Sequence, residues 1–290
     1  MYRYQAATAA FTHFTSRDGL CDNTVSAIVE DKAGQLWFGT AKGVCRYDGH
    51  AFTDMSQQAG LCANASGCAV DVNCILEDKA GTFWFGTNGW GLYRYQPAGN
   101  AVTHFTPKDG LGSAAVQCLL EDAAGTLWVG ERAGGVCQYQ AATGRFAAVN
   151  GKGCFSSQMM GIIEAKTGHL WFANLYEGLC RYAPKTGGFA HFTPANGLCF
   201  STVTCLYEDT TGALWFGSDR GSAGTSGGSL CRYDGQSFTS FGAQDGLSNF
   251  AVWAIVEDQA GNLWVGTRGH LYRYHAPSHR FIDYTYKLPR

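Results

Sequence analysis

The chain has 290 residues, 46% of them hydrophobic, with 21 basic residues against 23 acidic ones and a formal charge of -2. That composition excludes disorder and a collagen-like chain, supplies a large core, and offers no broad attraction for nucleic acid or an anionic membrane. No apolar run approaches the roughly 18 residues of a membrane span, and "MYRYQAATAAFTHFT" lacks the charged head and apolar middle of a signal peptide.

In chain order, residues 2 to 15 read as two short strands that match the last two strands of each later repeat, as "LYRYHAPSHRFIDYT" at 271 to 285 shows. The chain thus starts inside a repeat, and it is expected to be a fragment whose upstream sequence held the rest of that unit. The next unit, 18 to 59, sets the pattern. "VSAIVED" (25 to 31) alternates small or apolar residues before an acidic pair, followed by "LWFG", "GVCRYDG" (43 to 49) and "AFTDM" (51 to 55). Gly, Asp and Asn mark the turns between these four strands, and nothing has helical period.

The same pattern returns over 60–108, 109–150, 151–195, 196–244 and 245–290. Its tryptophans Trp37, Trp84, Trp128, Trp171, Trp215 and Trp264 lie 43 to 49 residues apart. The strands are too apolar at consecutive positions for a sheet with one wet face, so both faces must be covered. Four-stranded sheets repeating at this period are blades of a β-propeller. The expected fold is all-β: a single propeller domain over 1–290 with six complete repeats and an N-terminal half-blade, seven-bladed-like with an incomplete ring. Small residues such as Gly39 and Gly86 in LWFG suit a strand that is closely approached, with Ala173 as the one substitute.

The combined motif, "DGL" and then "ED..G.LWFGT...G..RYDG..FT.F", resembles the two-component regulator propeller repeat, found in periplasmic sensor regions of bacterial hybrid histidine kinases. The resemblance covers almost the whole chain. It implies seven-bladed propellers, often two in tandem, followed by a β-sandwich, a membrane helix and kinase domains, and relatives that sense oligosaccharides. The sandwich, membrane helix and kinase are not in this sequence. A periplasmic or extracellular location, other domains of a larger sensor chain as partners, and a dimer in the full-length protein are further implications.

Glu30/Asp31, Glu77/Asp78, Glu121/Asp122, Glu208/Asp209 and Glu257/Asp258 resemble catalytic pairs at first sight. A general acid and base need two unequal environments at one centre, whereas a repeat gives copies of one environment. Asp31 before Gly34 reads instead as a turn residue whose side chain accepts backbone N–H bonds while the glycine takes positive φ. His13, His104 and His191 share one position on the fourth strand and need no ligand. No metal-ligand spacing, nucleophile elbow, P-loop or Rossmann turn stands in a supporting context, so neither a metal, a cofactor nor a catalytic residue is expected.

Eleven of the 12 cysteines keep repeat register, and Cys68 sits in an extra loop. Cys74, Cys118 and Cys205 fill a slot of strand one as small buried residues. Cys45 with Cys62, Cys137 with Cys154 and Cys180 with Cys199 are disulfide candidates by their similar separations. Pairing within a repeat, Cys21 with Cys45 or Cys154 with Cys180, matches nearly as well, and reduced thiols are a third reading.

Binding residues are expected on the loops into strand one and between strands two and three, which share one end of the blades and vary most. The second set offers Lys42, Asn88, Trp90, Glu131, Arg132, Asn174, Tyr176, Glu177, Asp219, Arg220 and Arg268; the first adds Asn23, Asp71, Gln117, Gln158, Asn249 and Trp253. Aromatic planes beside Arg, Asn and Asp suit an oligosaccharide or similar small polar ligand, with the Gly/Ser stretch 221 to 229 as a lid. The expected function is non-enzymatic ligand sensing; a propeller lyase or glycosidase and a protein-interaction scaffold are the alternatives.

Overall fold

The computed structural model describes residues 1–5, 8, 10–62, 70–151, 153–219, 229–247 and 251–285. Among them are a two-stranded N-terminal ribbon, Tyr2–Gln5 with Ala10–His13, and six four-stranded antiparallel sheets in which each strand pairs with its sequence neighbour. These are the blades of a β-propeller. They fall into two compact units, Met1–Val149 with the ribbon and three blades, and Asn150–Arg290 with three more.

The first blade shows why these residues make this sheet. Its strands are Val25–Glu30, Leu36–Thr40, Gly43–Tyr47 and Phe52–Asp54. On the second strand, Trp37 points toward the next blade and packs on Phe83 with centroids 4.3 Å apart, in a cluster with Val72, Ile75 and Phe85. Its neighbour Phe38 points the other way, onto Leu20, Cys45 and Phe52. Consecutive apolar residues thus serve two different cores, which is why the strand does not alternate apolar with polar.

The small residue after "WF" answers to the strand beside it. A Cβ on Gly39 would stand 2.9 Å from the Val72 carbonyl oxygen and 3.2 Å from the Ala27 Cβ. Ala173 stands at this position in the fourth blade because its cross-strand partner is Gly161, where the first blade has Gly39 opposite Ala27. The pair keeps one methyl in either arrangement.

The two acids of each pair have separate structural tasks. Asp31 Oδ1 accepts the N–H groups of Ala33 and Gln35 at 2.9 and 2.8 Å, its Oδ2 accepts Trp37 Nε1 at 2.8 Å, and Gly34 takes φ 78°. Asp78, Asp122, Asp209 and Asp258 hold their tryptophans in the same way. The glutamate receives the preceding blade: Lys32 N donates to Glu77 Oε2 at 2.8 Å, Lys79 N to Glu121 Oε2 at 2.6 Å, Lys166 N to Glu208 Oε2 at 2.9 Å and Thr210 N to Glu257 Oε2 at 2.7 Å. Lys32 Nζ completes its clamp on the carbonyls of Asp78 and Lys79.

The disulfides differ from the candidates built on separation. Cys45 bonds to Cys21, Cys180 to Cys154 and Cys199 to Cys231, with Cα atoms 5.9, 5.8 and 6.0 Å apart. Cys62 is bonded too, Cys137 carries a free thiol, and Cys68 lies outside the described residues. The physical reason is the course of the inter-blade loop. Gly19, which follows the capped turn Ser16–Asp18 at φ 99°, sits against Phe52 on the fourth strand of the blade that follows, as Gly110 sits against Phe146. A cysteine just beyond that glycine therefore meets the third strand of its own repeat, not that of the repeat before. Cys74, Cys118 and Cys205 are unbonded, and burial pushes the Cys118 and Cys205 thiols up to about 12.

Candidate functional site

The loops into strand one and between strands two and three emerge at the opposite end of each blade from the Asp turns. In the unit Met1–Val149 they build a linked polar surface. Asn88 Nδ2 donates to Asp71 Oδ2 at 3.1 Å, and Arg132 Nη1 donates to Asn88 Oδ1 at 3.0 Å. The backbone sets this up, because Asn88 N bonds the Asp71 carbonyl and Arg132 N the Ala115 carbonyl, both at 2.9 Å. Trp90, in the same turn as Asn88, stands 51% exposed. Its carbonyl accepts His104 Nε2 at 2.6 Å, while the His104 ring stacks on Tyr93 at 4.1 Å. The histidine of strand four therefore anchors the variable turn, a role the sequence reading did not find.

The same anchor recurs in the unit Asn150–Arg290, where His191 Nε2 meets the Glu177 carbonyl at 2.6 Å. Tyr176, one residue earlier, is 68% exposed. Glu177 Oε1 accepts Ser156 Oγ at 2.5 Å, and Leu175 N donates to the Gln158 carbonyl at 3.0 Å, which ties the two loops of this blade together.

Other expected residues are placed differently. Glu131 is not on the exposed face: it is 2% exposed at the end of its strand, where side-chain alternation turns it toward the incoming loop. There it accepts Gly112 N at 2.8 Å and the Cys137 thiol at 3.5 Å, and burial raises its carboxyl above the ordinary value. Asn174 occupies the corresponding strand end and is fully buried. Asn23 is committed to its own loop, accepting Ser16 N at 2.9 Å. Lys42 pairs with Asp22 at 3.3 Å. Gln117 and Trp253 lie inside first strands, at the point where the pairing slips by one residue. A bulge of this kind turns one side chain out of the ladder; it leaves Trp253 52% exposed, and at Asn73 it frees an amide that bonds the Val116 carbonyl. Arg268 is exposed, and Asp219 half-buried. Arg220, Asn249 and residues 221 to 228 of the Gly/Ser stretch lie outside the described residues.

Two cavities lie at the Asp-turn end, one of about 520 Å³ beside Trp37 and Arg46 and one of about 480 Å³ beside Trp215 and Arg232. Each arginine lies over its tryptophan ring, at 5.9 and 5.8 Å. Their carboxylates are those of the turns and clamps, so these clefts repeat the structural motif. Among the described residues there is no group of His, Cys, Asp and Glu fit to hold a metal ion.

The sequence pattern described as "two component regulator propeller" matches residues 19–42, 66–89, 110–131, 197–220 and 245–269. A curated histidine kinase of Formosa agariphila is 46% identical over 48 residues, which are 17% of this chain and 4% of that protein. Among solved structures, an extracellular domain assigned to a hybrid two component system of B. thetaiotaomicron superposes with TM-score 0.74 and 22% identity over 94% of this chain and 36% of its own. Virginiamycin B lyase from Staphylococcus aureus superposes with TM-score 0.67 and 17% identity, over 90% of this chain and 84% of its own. PorZ of Porphyromonas gingivalis, a component of the type-IX secretion system, gives 0.66 and 17%, over 94% and 43%. At these identities the structural likeness concerns the fold alone. The chain spans about a third of the B. thetaiotaomicron domain and a small part of the kinase.

Proposed function

We propose that this chain, placed by its repeats with the two-component regulator propellers, is the non-enzymatic ligand-sensing part of a bacterial two-component sensor, exposed in the periplasm or outside the cell, binding an oligosaccharide or similar small polar ligand. The observation that carries this reading is the surface formed by Trp90 with the Asp71, Asn88 and Arg132 network. An exposed indole beside donors and acceptors that are held in place fits a sugar, whose C–H face stacks while its hydroxyls take the hydrogen bonds. Arg132 spends one N–H group on Asn88, which leaves donors for a ligand oxygen or carboxylate. The disulfides support an oxidising compartment.

The carboxylates argue against chemistry. The repeated acids are consumed by Trp Nε1 and backbone N–H groups, and Glu131 is sealed from substrate. Binding of a panel of neutral and uronate oligosaccharides, measured by calorimetry, tests the reading. Trp90→Ala and Arg132→Ala are each expected to weaken binding about tenfold. Release of shortened or unsaturated products from the panel would replace sensing by the lyase or glycosidase reading.

A further inference from the structure

Buried side-chain polar atoms without a hydrogen-bond partner are concentrated in one place. Among the described residues, Ser157 Oγ, both polar atoms of the Asn174 amide and Glu177 Oε2 belong to the fourth blade, while Asp219 Oδ1 and Arg94 Nε stand singly in other blades. Ser157 follows Ser156, which bonds Glu177; Asn174 ends strand two, and its carbonyl accepts Val203 N at 3.1 Å. Buried polar groups are nearly always paired, and a cluster that is not calls for a physical explanation.

Other repeats solve this position simply. Thr40, Thr87 and Thr267 each donate Oγ1 to a carbonyl of their own hairpin, at 2.9, 2.7 and 3.2 Å. Glu131 has Gly112 N and the Cys137 thiol. Among the described residues, Asn174 is the one strand end whose side chain has both donor and acceptor idle, fully buried, two residues from the exposed Tyr176.

We propose that Asn174, Glu177 and Ser157 form a subsite of the fourth blade that selects a vicinal diol of a neutral saccharide, bared when the turn Leu175–Glu177 shifts as the ligand arrives at Tyr176. A carboxamide gives one hydroxyl an acceptor and its neighbour a donor, Glu177 Oε2 accepts a further O–H, and the serine does either. The same carboxylate repels a uronate or sulfate, so this subsite and the Arg132 surface of the other unit differ in the charge they accept. Shifting the turn exchanges unpaired buried atoms for bonds to the ligand, which lowers the cost of opening.

The inference rests on the ligand-binding reading above, and the experiment separates the two. The whole chain, as wild type, Asn174→Thr, Glu177→Gln and Ser157→Ala, is titrated with neutral gluco-, xylo- and manno-oligosaccharides and with uronate oligosaccharides, alongside thermal unfolding. The expected result is a neutral saccharide bound by the wild type, weakened about tenfold or more by Asn174→Thr and less by Ser157→Ala, with the melting temperature of Asn174→Thr raised. With the other surface silenced by Arg132→Ala, Glu177→Gln should extend binding to uronates. Wild-type binding that Asn174→Thr and Glu177→Gln leave unchanged, or binding of uronates alone, overturns the subsite and leaves the sensing function standing. A wild type that binds no saccharide overturns both.

Discussion

The third and fourth blades solve one problem differently. In each, the inter-blade loop must be fixed to the strands it crosses. The fourth blade uses a covalent bond, Cys154 to Cys180. The third has Gly112 at the loop position and an unbonded Cys137 on the strand, and Glu131 reaches both, its Oε1 taking the Gly112 N–H and the thiol. A Cβ on Gly112 would stand 2.5 Å from Glu131 Oε2, so the glycine and the carboxylate belong together. In the fourth blade, where the disulfide pins the loop, the strand-end side chain is not needed to hold it, and the Asn174 amide is left unpaired. Covalent pinning frees a position for recognition, and polar pinning consumes it.

The largest break of this comparison is reduction. Cys154→Ala with Cys180→Ala is expected to destabilise by about 3 kcal/mol on a chain-entropy scale, read by chemical denaturation, and to speed amide exchange around 154–158 while the third blade is unaffected. Titration of the unfolded, unreduced chain should find the thiols of Cys74, Cys118, Cys137 and Cys205; 12 thiols would refute the covalent pin.

Glu131→Ala is the corresponding break in the third blade. It removes the acceptor of the Gly112 N–H and leaves a cavity where the buried Glu131 side chain stood, expected to cost about 2 kcal/mol in denaturant unfolding. Glu131→Gln sharpens it through pH. Burial raises the Glu131 carboxyl above 4.5, so the wild type loses stability from this group as pH rises through the unfolded value toward the folded one. The melting temperature of Glu131→Gln relative to wild type should therefore climb with pH above 4.5 and then level off; a difference independent of pH would exclude a titrating carboxylate.

The smallest effect lies in the Asp turn of the fifth blade, a turn that the third blade also has at Asp122 and the fourth lacks, with Ala165 in that place. Burial pushes the Asp209 carboxyl up, but donors from Thr211, Trp215 and Ala213 outweigh it and hold the group below its usual range. Its stabilisation is present above the unfolded value of 3.8 and is lost as pH falls through the lower folded value, a loss of about 1 kcal/mol or less given its partial exposure. Asp209→Asn should blunt the acid limb of the stability curve.

What the sequence disclosed is what local spacing encodes. Trp37 and its relatives marked the blades, and Asp31 before Gly34 declared the turn, because donor and acceptor lie within six residues. The Glu77 clamp was hidden since its donor is 45 residues away. The His104 anchor spans 14, and it showed only as a repeated residue with no stated purpose. Disulfide direction depended on which blade the loop crosses, a three-dimensional fact that similar separations cannot express. Glu131 and Asn174 were taken for surface because they lie next to variable turns; strand alternation, applied one residue further, would have turned them inward.

The clamp between blades has a further consequence. Lys32, Lys79, Lys166 and Thr210 each stand just after the turn residue of one repeat and donate to the glutamate of the next, Glu77, Glu121, Glu208 and Glu257. A duplicated repeat inserted between two of its kind arrives with both halves of the joint already in register. Growth by copying needs no redesign of the seam, and a gene encoding such units can lengthen or shorten by whole repeats while every new neighbour is recognised from the start.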